Sequence, residues 1–207
     1  MNAVILACGS LMEYVRAAQH KMGTHYPEIY LDRALHAEPQ LMRKSILEAL
    51  ETIPAEYDTV LVAMGFCGGS WRDIKTSRKM VRPAADDCVS LLLHTENRAG
   101  YNLKESGHLY MKDPDPHDFD MERSFETYTK AMDAETKNKI KTAWKSQYSV
   151  IDVVNTGLNH CDTPEYRECA EKNALWIDGR VEYLEGSNIL IEKLVSGDWD
   201  ETFIITE

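Results

Sequence analysis

The run "YDTVLVAM" (57–64) is apolar at nearly every position from Val60 onward. Such continuity predicts a strand buried on both faces, as in a parallel sheet covered by helices. "AVILAC" (3–8) has the same character and is closed by Gly9-Ser10, with Ser10 placed to cap a helix over 10–22. In "HAEPQLMRKSILEALETI" (36–53) Leu41, Ile46, Leu47 and Leu50 return near a 3.6-residue period, which predicts an amphipathic helix with Pro39 near its start. Further strands are predicted in "PEIYLDRAL" (27–35), "KMVRPA" (79–84), "GHLYMKD" (107–113), "YSVIDVVNTG" (148–157), "RVEYLEGS" (180–187) and "ETFIITE" (201–207). Further helices are predicted in "DDCVSLLLHTEN" (86–97), in "TPEYRECAEKNALWI" (163–177) with Pro164 in its first turn, and in "SNILIEKLVSG" (187–197) with Gly197 as its stop. From Phe119 to Gln147 the chain is helical in pattern but polar, as expected of a helical insertion packed outside a sheet.

Strands that alternate with helices imply parallel pairing through crossover connections. The fold expected is α/β, Rossmann-like or flavodoxin-like, with a mostly parallel sheet, helices on both faces and the helical insertion around 119–147. A length of 207 residues is compatible with one such domain over 1–207.

Charge narrows the partners. The chain carries 34 acidic against 23 basic residues, a net charge of −11, which disfavours a phosphate backbone as ligand. There is no run of 18 apolar residues, so no membrane span is expected. "MNAVILACGSLMEY" lacks the basic start of a signal peptide and runs directly into a helix pattern, and the expected location is the cytoplasm. Five cysteines, an odd number without export signals, argue against a disulfide framework. Inert buried thiols, a nucleophile or metal ligands remain.

Three of these cysteines have similar settings. Cys8 ends the first predicted strand, Cys67 lies in "MGFCGGSW" just past the third, and Cys88 follows "MVRPA" in the first turn of a helix. In an open parallel sheet the carboxyl ends of the strands form the ligand-binding edge. Neighbouring strands lie about 5 Å apart, so three thiolates there are within reach of one metal ion. Gly9, Gly68 and Gly69 clear side chains from the turns, and exposed backbone N–H groups would stabilise thiolates or a bound cofactor. Buried cysteine is also an ordinary core residue and strand-end glycine an ordinary turn residue, so three separate inert thiols remain an open alternative. Asp86 and Asp87 beside Cys88 are candidates for a general base or for orienting a ligand, and equally for capping the helix. His160, in "NTGLNHC", is a candidate acid/base or fourth ligand, with Cys161 beside it and an exposed loop histidine as the alternative. His36 follows a strand and is placed to reach the same edge. Arg82, just before the site, suits a carboxylate or phosphate of an anionic ligand.

The order "ILACGSL", "LHAEP", "YDTVLVAMGFCGG", "VRPAADDCVSLLLHTENR", "YLEGSNILIEKLVSGDWDETFIITE" resembles the family called domain of unknown function 1638 across nearly the whole chain. The resemblance implies that Cys8, Cys67 and Cys88 belong to the family pattern, and that the protein works beside methyltransferases of anaerobic metabolism. Asp86-Asp87-Cys88 stands where the family typically carries His-Asp-Cys, so any role of that histidine passes to Asp86 or is lost. The function expected is metal binding at a three-cysteine site, by an enzyme or accessory factor of one-carbon and methyl-transfer metabolism. Zinc is the expected metal, with a [4Fe–4S] cluster as the alternative. The expected partners are a small thiol or anionic substrate and a corrinoid protein or methyltransferase. The alternative functions are a cluster-dependent transferase or lyase, a metallochaperone without catalysis, and an enzyme using Cys67 alone as nucleophile.

Overall fold

In the computed structural model of the protein, residues 2–206 are described, Ala37 by its backbone alone. The chain runs β1 (Ala3–Cys8), α1 (Met12–Met22), β2 (Glu28–Leu31), α2 (Pro39–Thr52), β3 (Thr59–Ala63), β4 (Lys79–Pro83) and α3 (Cys88–Leu93). It continues through β5 (His108–Met111), α4 (Met121–Thr129), α5 (Ala134–Gln147), β6 (Val150–Asn155), α6 (Pro164–Trp176), β7 (Arg180–Glu185), α7 (Ile189–Ser196) and β8 (Phe203–Thr206). The fold is α/β, as the apolar runs predict. The polar stretch 119–147 supplies α4 and α5, each capped by an aspartate: Asp120 accepts from the Arg123 amide and Asp133 from that of Thr136.

Two compact units divide the chain, one made of 1–103 with 187–207 and the other of 104–186. Correspondingly the strands form two sheets, β2-β1-β3-β4-β8 and β5-β6-β7, where the sequence suggested one. Sheet membership depends on pairing between distant strands, which single-strand periodicity does not encode.

In the first unit β1 pairs in parallel with β2 and β3, and β3 with β4, while β8 closes the edge antiparallel to β4. This is the 2-1-3-4 order of a flavodoxin-like sheet, which reverses direction between β1 and β3 and therefore opens a crevice at the carboxyl ends of those strands. Every residue of β1 and β3 is buried, so both faces are covered. Tyr14 and Leu11 around the start of α1, Ile46 of α2, and Leu194 of α7 are fully buried in this core. Helices α1 and α7 stop at left-handed glycines, Gly23 and Gly197. At the start of α1 the structure departs from expectation: Ser10 lies inside a short 3₁₀ turn (Gly9–Leu11), and the group accepting from its amide is the Cys8 thiol.

In the second unit β5 and β7 flank β6 in parallel. Met111, Ile151, Val153, Tyr166, Ala170 and Ile177 form the core of this unit, with Phe125, Trp144 and Trp176 as an aromatic cluster whose ring centroids lie 5.3–6.1 Å apart. Asn173, buried on α6, ties α4 to this core: its Oδ1 accepts from the Met121 amide at 2.8 Å, and its Nδ2 donates to the carbonyls of Phe119 and Cys169.

Two consequences are testable. A β-carbon at Gly65 would sit 2.3 Å from Asp87 Cα, so Gly65→Ala is expected to cost about 3 kcal/mol or more in denaturant unfolding. Gly23→Ala, which meets open space but holds φ at +66°, should cost only about 1 kcal/mol. Asn173→Leu strands the Met121 amide and the Phe119 carbonyl and should cost about 3 kcal/mol, with hydrogen exchange rising over α4 and α6 rather than over β1 and β3.

Candidate metal centre

The loops that leave β1, β2, β3 and β4 at their carboxyl ends carry the chemistry-bearing residues of the first unit. Cys8 is the last residue of β1 and is fully buried. β2 ends level with it, Leu31 opposite Cys8, and is followed by a 3₁₀ turn (Arg33–Ala37) whose first amides are capped by Asp32. A β-carbon at Gly9 would stand 3.0 Å from the Leu31 carbonyl, so the two strand ends are in backbone contact. That contact, together with the turn, delivers His36 to Cys8, with Nε2 at 2.7 Å from Sγ. Cys88 opens α3, whose cap is Asp87, its carboxylate accepting from the Ser90 amide at 2.8 Å.

Cys8 Sγ, His36 and Cys88 Sγ thus offer three donor atoms within 4.8 Å of one another. The two thiols are buried and the imidazole is exposed, so the group is walled on the protein side and open on the other. No disulfide joins the thiols. The Cys8 thiol is pushed up to about 12, first because it shares a hydrogen bond with the Cys88 thiol and next because it is buried, with His36 pulling it back down. Two hydrogen-bonded thiols beside an imidazole form a donor set from which a cation can displace the thiol protons. The Ser10 hydroxyl, 3.2 Å from Cys8 Sγ, and the Ser10 amide, at 3.4 Å, would orient and steady the thiolate.

Cys67 stands at the edge its spacing suggests, but outside the close group of three donor atoms. It lies at the same sheet edge after β3, in a 3₁₀ turn (Cys67–Gly69), and has φ +48°, a left-handed conformation uncommon outside glycine. Gly68 follows at φ +65° against the Pro39 ring, and Gly69 at φ +91°. The Cys67 amide donates to the Asp86 carbonyl at 2.7 Å, and the Phe66 amide to that of Ala85 at 2.8 Å, so the β3 and β4 loops are laced together. The thiol itself shares its electrostatic surroundings with Arg82 and Tyr101. The close donor group is therefore two cysteines and a histidine where the sequence suggested three cysteines, with Cys67 beside it. The signal for His36 was its place after β2, but a lone histidine in a turn does not reveal which strand end it faces.

Of the remaining candidates, Asp87 serves as a helix cap, and half-buried Asp86 accepts and donates through its backbone, its amide bonding to the Tyr101 carbonyl. His160 and Cys161 belong to the second unit, on the loop after β6, and so to the edge of a different sheet. His160 is exposed, and Cys161 is part of the core there. The second unit has a polar pair that sequence reasoning passed over. Asp152, fully buried in the apolar run of β6, accepts from or shares a proton with His108 Nδ1 at 2.7 Å, and burial pushes its carboxyl up, with His108 opposing. A charged residue inside "VIDVV" was the available signal.

Among the described residues, no helix is long and apolar enough to cross a membrane. No curated protein and no solved structure matches the chain. One family model does, over residues 30–195, a span that includes His36, Cys67 and Cys88. By that match the chain belongs to the family described as protein of unknown function (DUF1638).

Proposed function

We propose that the protein binds one Zn²⁺ through Cys8, Cys88 and His36 and presents an open coordination position to a small thiol, as a metal-dependent transferase of one-carbon metabolism. The observation that carries this reading is the group of three donor atoms within 4.8 Å at the crevice of a flavodoxin-like sheet. Two thiolates and one imidazole with a vacant fourth position are the donor pattern of catalytic zinc, whereas structural zinc is closed by four protein ligands. The exposed imidazole supports access from solvent.

The ion would supply Lewis acidity, which makes a thiol ionise near neutral pH. The thiol proton leaves to water and the sulfur keeps its electron pair. In a methyl transfer, that pair forms the new S–C bond while the donor retains the electrons of the bond that breaks. The family resemblance favours a methyltransferase or corrinoid protein as donor and a location in the cytoplasm. The protein's share is to hold Cys8 and Cys88 on rigid strand and helix ends, with Ser10 bonded to Cys8.

The test is metal content after anaerobic purification. The wild-type chain is expected to carry about one zinc, and Cys8→Ser, Cys88→Ser or His36→Gln to weaken binding by at least about 100-fold while Cys67→Ser retains it. Full zinc retention by both Cys8→Ser and Cys88→Ser would overturn the site. Iron with inorganic sulfide, lost in Cys67→Ser, would replace zinc by a [4Fe–4S] cluster with Cys67 as its third thiolate.

A further inference from the structure

Arg82 belongs to β4, opposite Ile204 of β8, and its side chain is half-buried. Its Nη1 is buried and, among the described residues, has no hydrogen-bond partner. The guanidinium lies over the Phe66 ring, its carbon 5.4 Å from the centroid. Tyr101 and Cys67 are the charged-state neighbours that favour its cation, against the burial that disfavours it. Neither replaces a carboxylate. In a chain with eleven more acidic than basic residues, a guanidinium without a carboxylate partner is unusual.

Burying an N–H of a charged fork unpaired is costly, and folds retain such groups where a ligand supplies the missing acceptor. The position of this one is informative. Arg82 lies six residues before Cys88 on the β4–α3 segment, and its ring partner Phe66 directly precedes Cys67. The two loops are joined by the Phe66–Ala85 and Cys67–Asp86 backbone hydrogen bonds, so cation, strained cysteine and metal ligand share one rim of one crevice. Tyr101, half-exposed, joins the same rim through its carbonyl bond to the Asp86 amide.

We propose that Arg82 is the anion anchor of this site and that the substrate is a small thiol carrying a carboxylate or similar anionic group, its sulfur reaching the metal and its anion the Arg82 fork. This rests on the zinc reading for the sulfur end, whereas the anion end stands on Arg82 alone. A planar guanidinium donates to the two oxygens of a carboxylate side by side, and the Phe66 ring packs against the fork. Selection among thiols thereby comes from charge as well as sulfur: a neutral thiol leaves Nη1 unpaired, and an anionic one satisfies it.

The test is calorimetric titration of the zinc-loaded full-length protein with 3-mercaptopropionate and with 2-mercaptoethanol. The anionic thiol is expected to bind roughly tenfold or more tightly than the neutral one, the scale of one charge-assisted hydrogen bond. Arg82→Gln should erase that difference while keeping the zinc and the neutral-thiol affinity, and Arg82→Lys should restore part of it. Equal affinity for the two thiols in the wild type, or an undiminished preference in Arg82→Gln, overturns the proposal. Propionate followed by ligand-observed NMR separates the two readings in protein without metal. Binding that disappears in Arg82→Gln sustains the anion anchor even if the zinc reading fails, and equal propionate signals in both proteins sink it.

Discussion

Where the chain leaves β3, Gly65 passes so close to Asp87 that no side chain fits between the two backbones. Around that contact two further hydrogen bonds, from the amides of Phe66 and Cys67, extend the pairing of β3 and β4 beyond the sheet itself. Loops at a sheet edge are ordinarily free to diverge. Here backbone contact holds them in register, and Cys67, Arg82, Asp87 and Cys88 inherit their positions from it. On the other side of the crevice, the approach of Gly9 to the Leu31 carbonyl does the same for Cys8 and His36. The donor group is thus set by main-chain packing, which varies less than side-chain rotamers do.

The same arrangement accounts for the state of the groups it gathers. Two thiols brought together at this crevice share a hydrogen bond, and Cys8 is kept from ionising by that bond and by its burial. An arginine brought alongside keeps one N–H without an acceptor. On the proposed reading each is relieved by an opposite charge: a cation between the sulfurs, an anion on the guanidinium. The left-handed turn at Cys67 follows β3 at the same sheet edge.

Much of this was legible in the sequence because the relevant runs are strongly apolar. "AVILAC" and "TVLVAM" are buried on both faces, and the residues just past them had to fall at one sheet edge. The Gly197 helix boundary was readable from capping chemistry alone. The identity of the third donor was not legible. His36 and Cys67 follow the strands on either side of β1, and only the backbone angle at Cys67 and the approach of Gly9 to β2 decide which side chain meets Cys8. Neither quantity has a signature in residue type. The partition into two sheets was hidden for a related reason: β5, β6 and β7 look like the other strands until their partners are known. Asp152 and Asn173 were missed because a buried polar residue announces itself only once its neighbours are seen.

The first unit is assembled from two separated stretches of chain, with the whole of the second unit lying between them. On the ribosome, residues 104–186 emerge, and can close their own three-stranded sheet, before α7 and β8 exist. Until those last elements arrive, β4 has a bare edge and the carboxyl rim bearing the thiols rests on an unfinished sheet. Closure of that edge consequently waits for synthesis of the final strand.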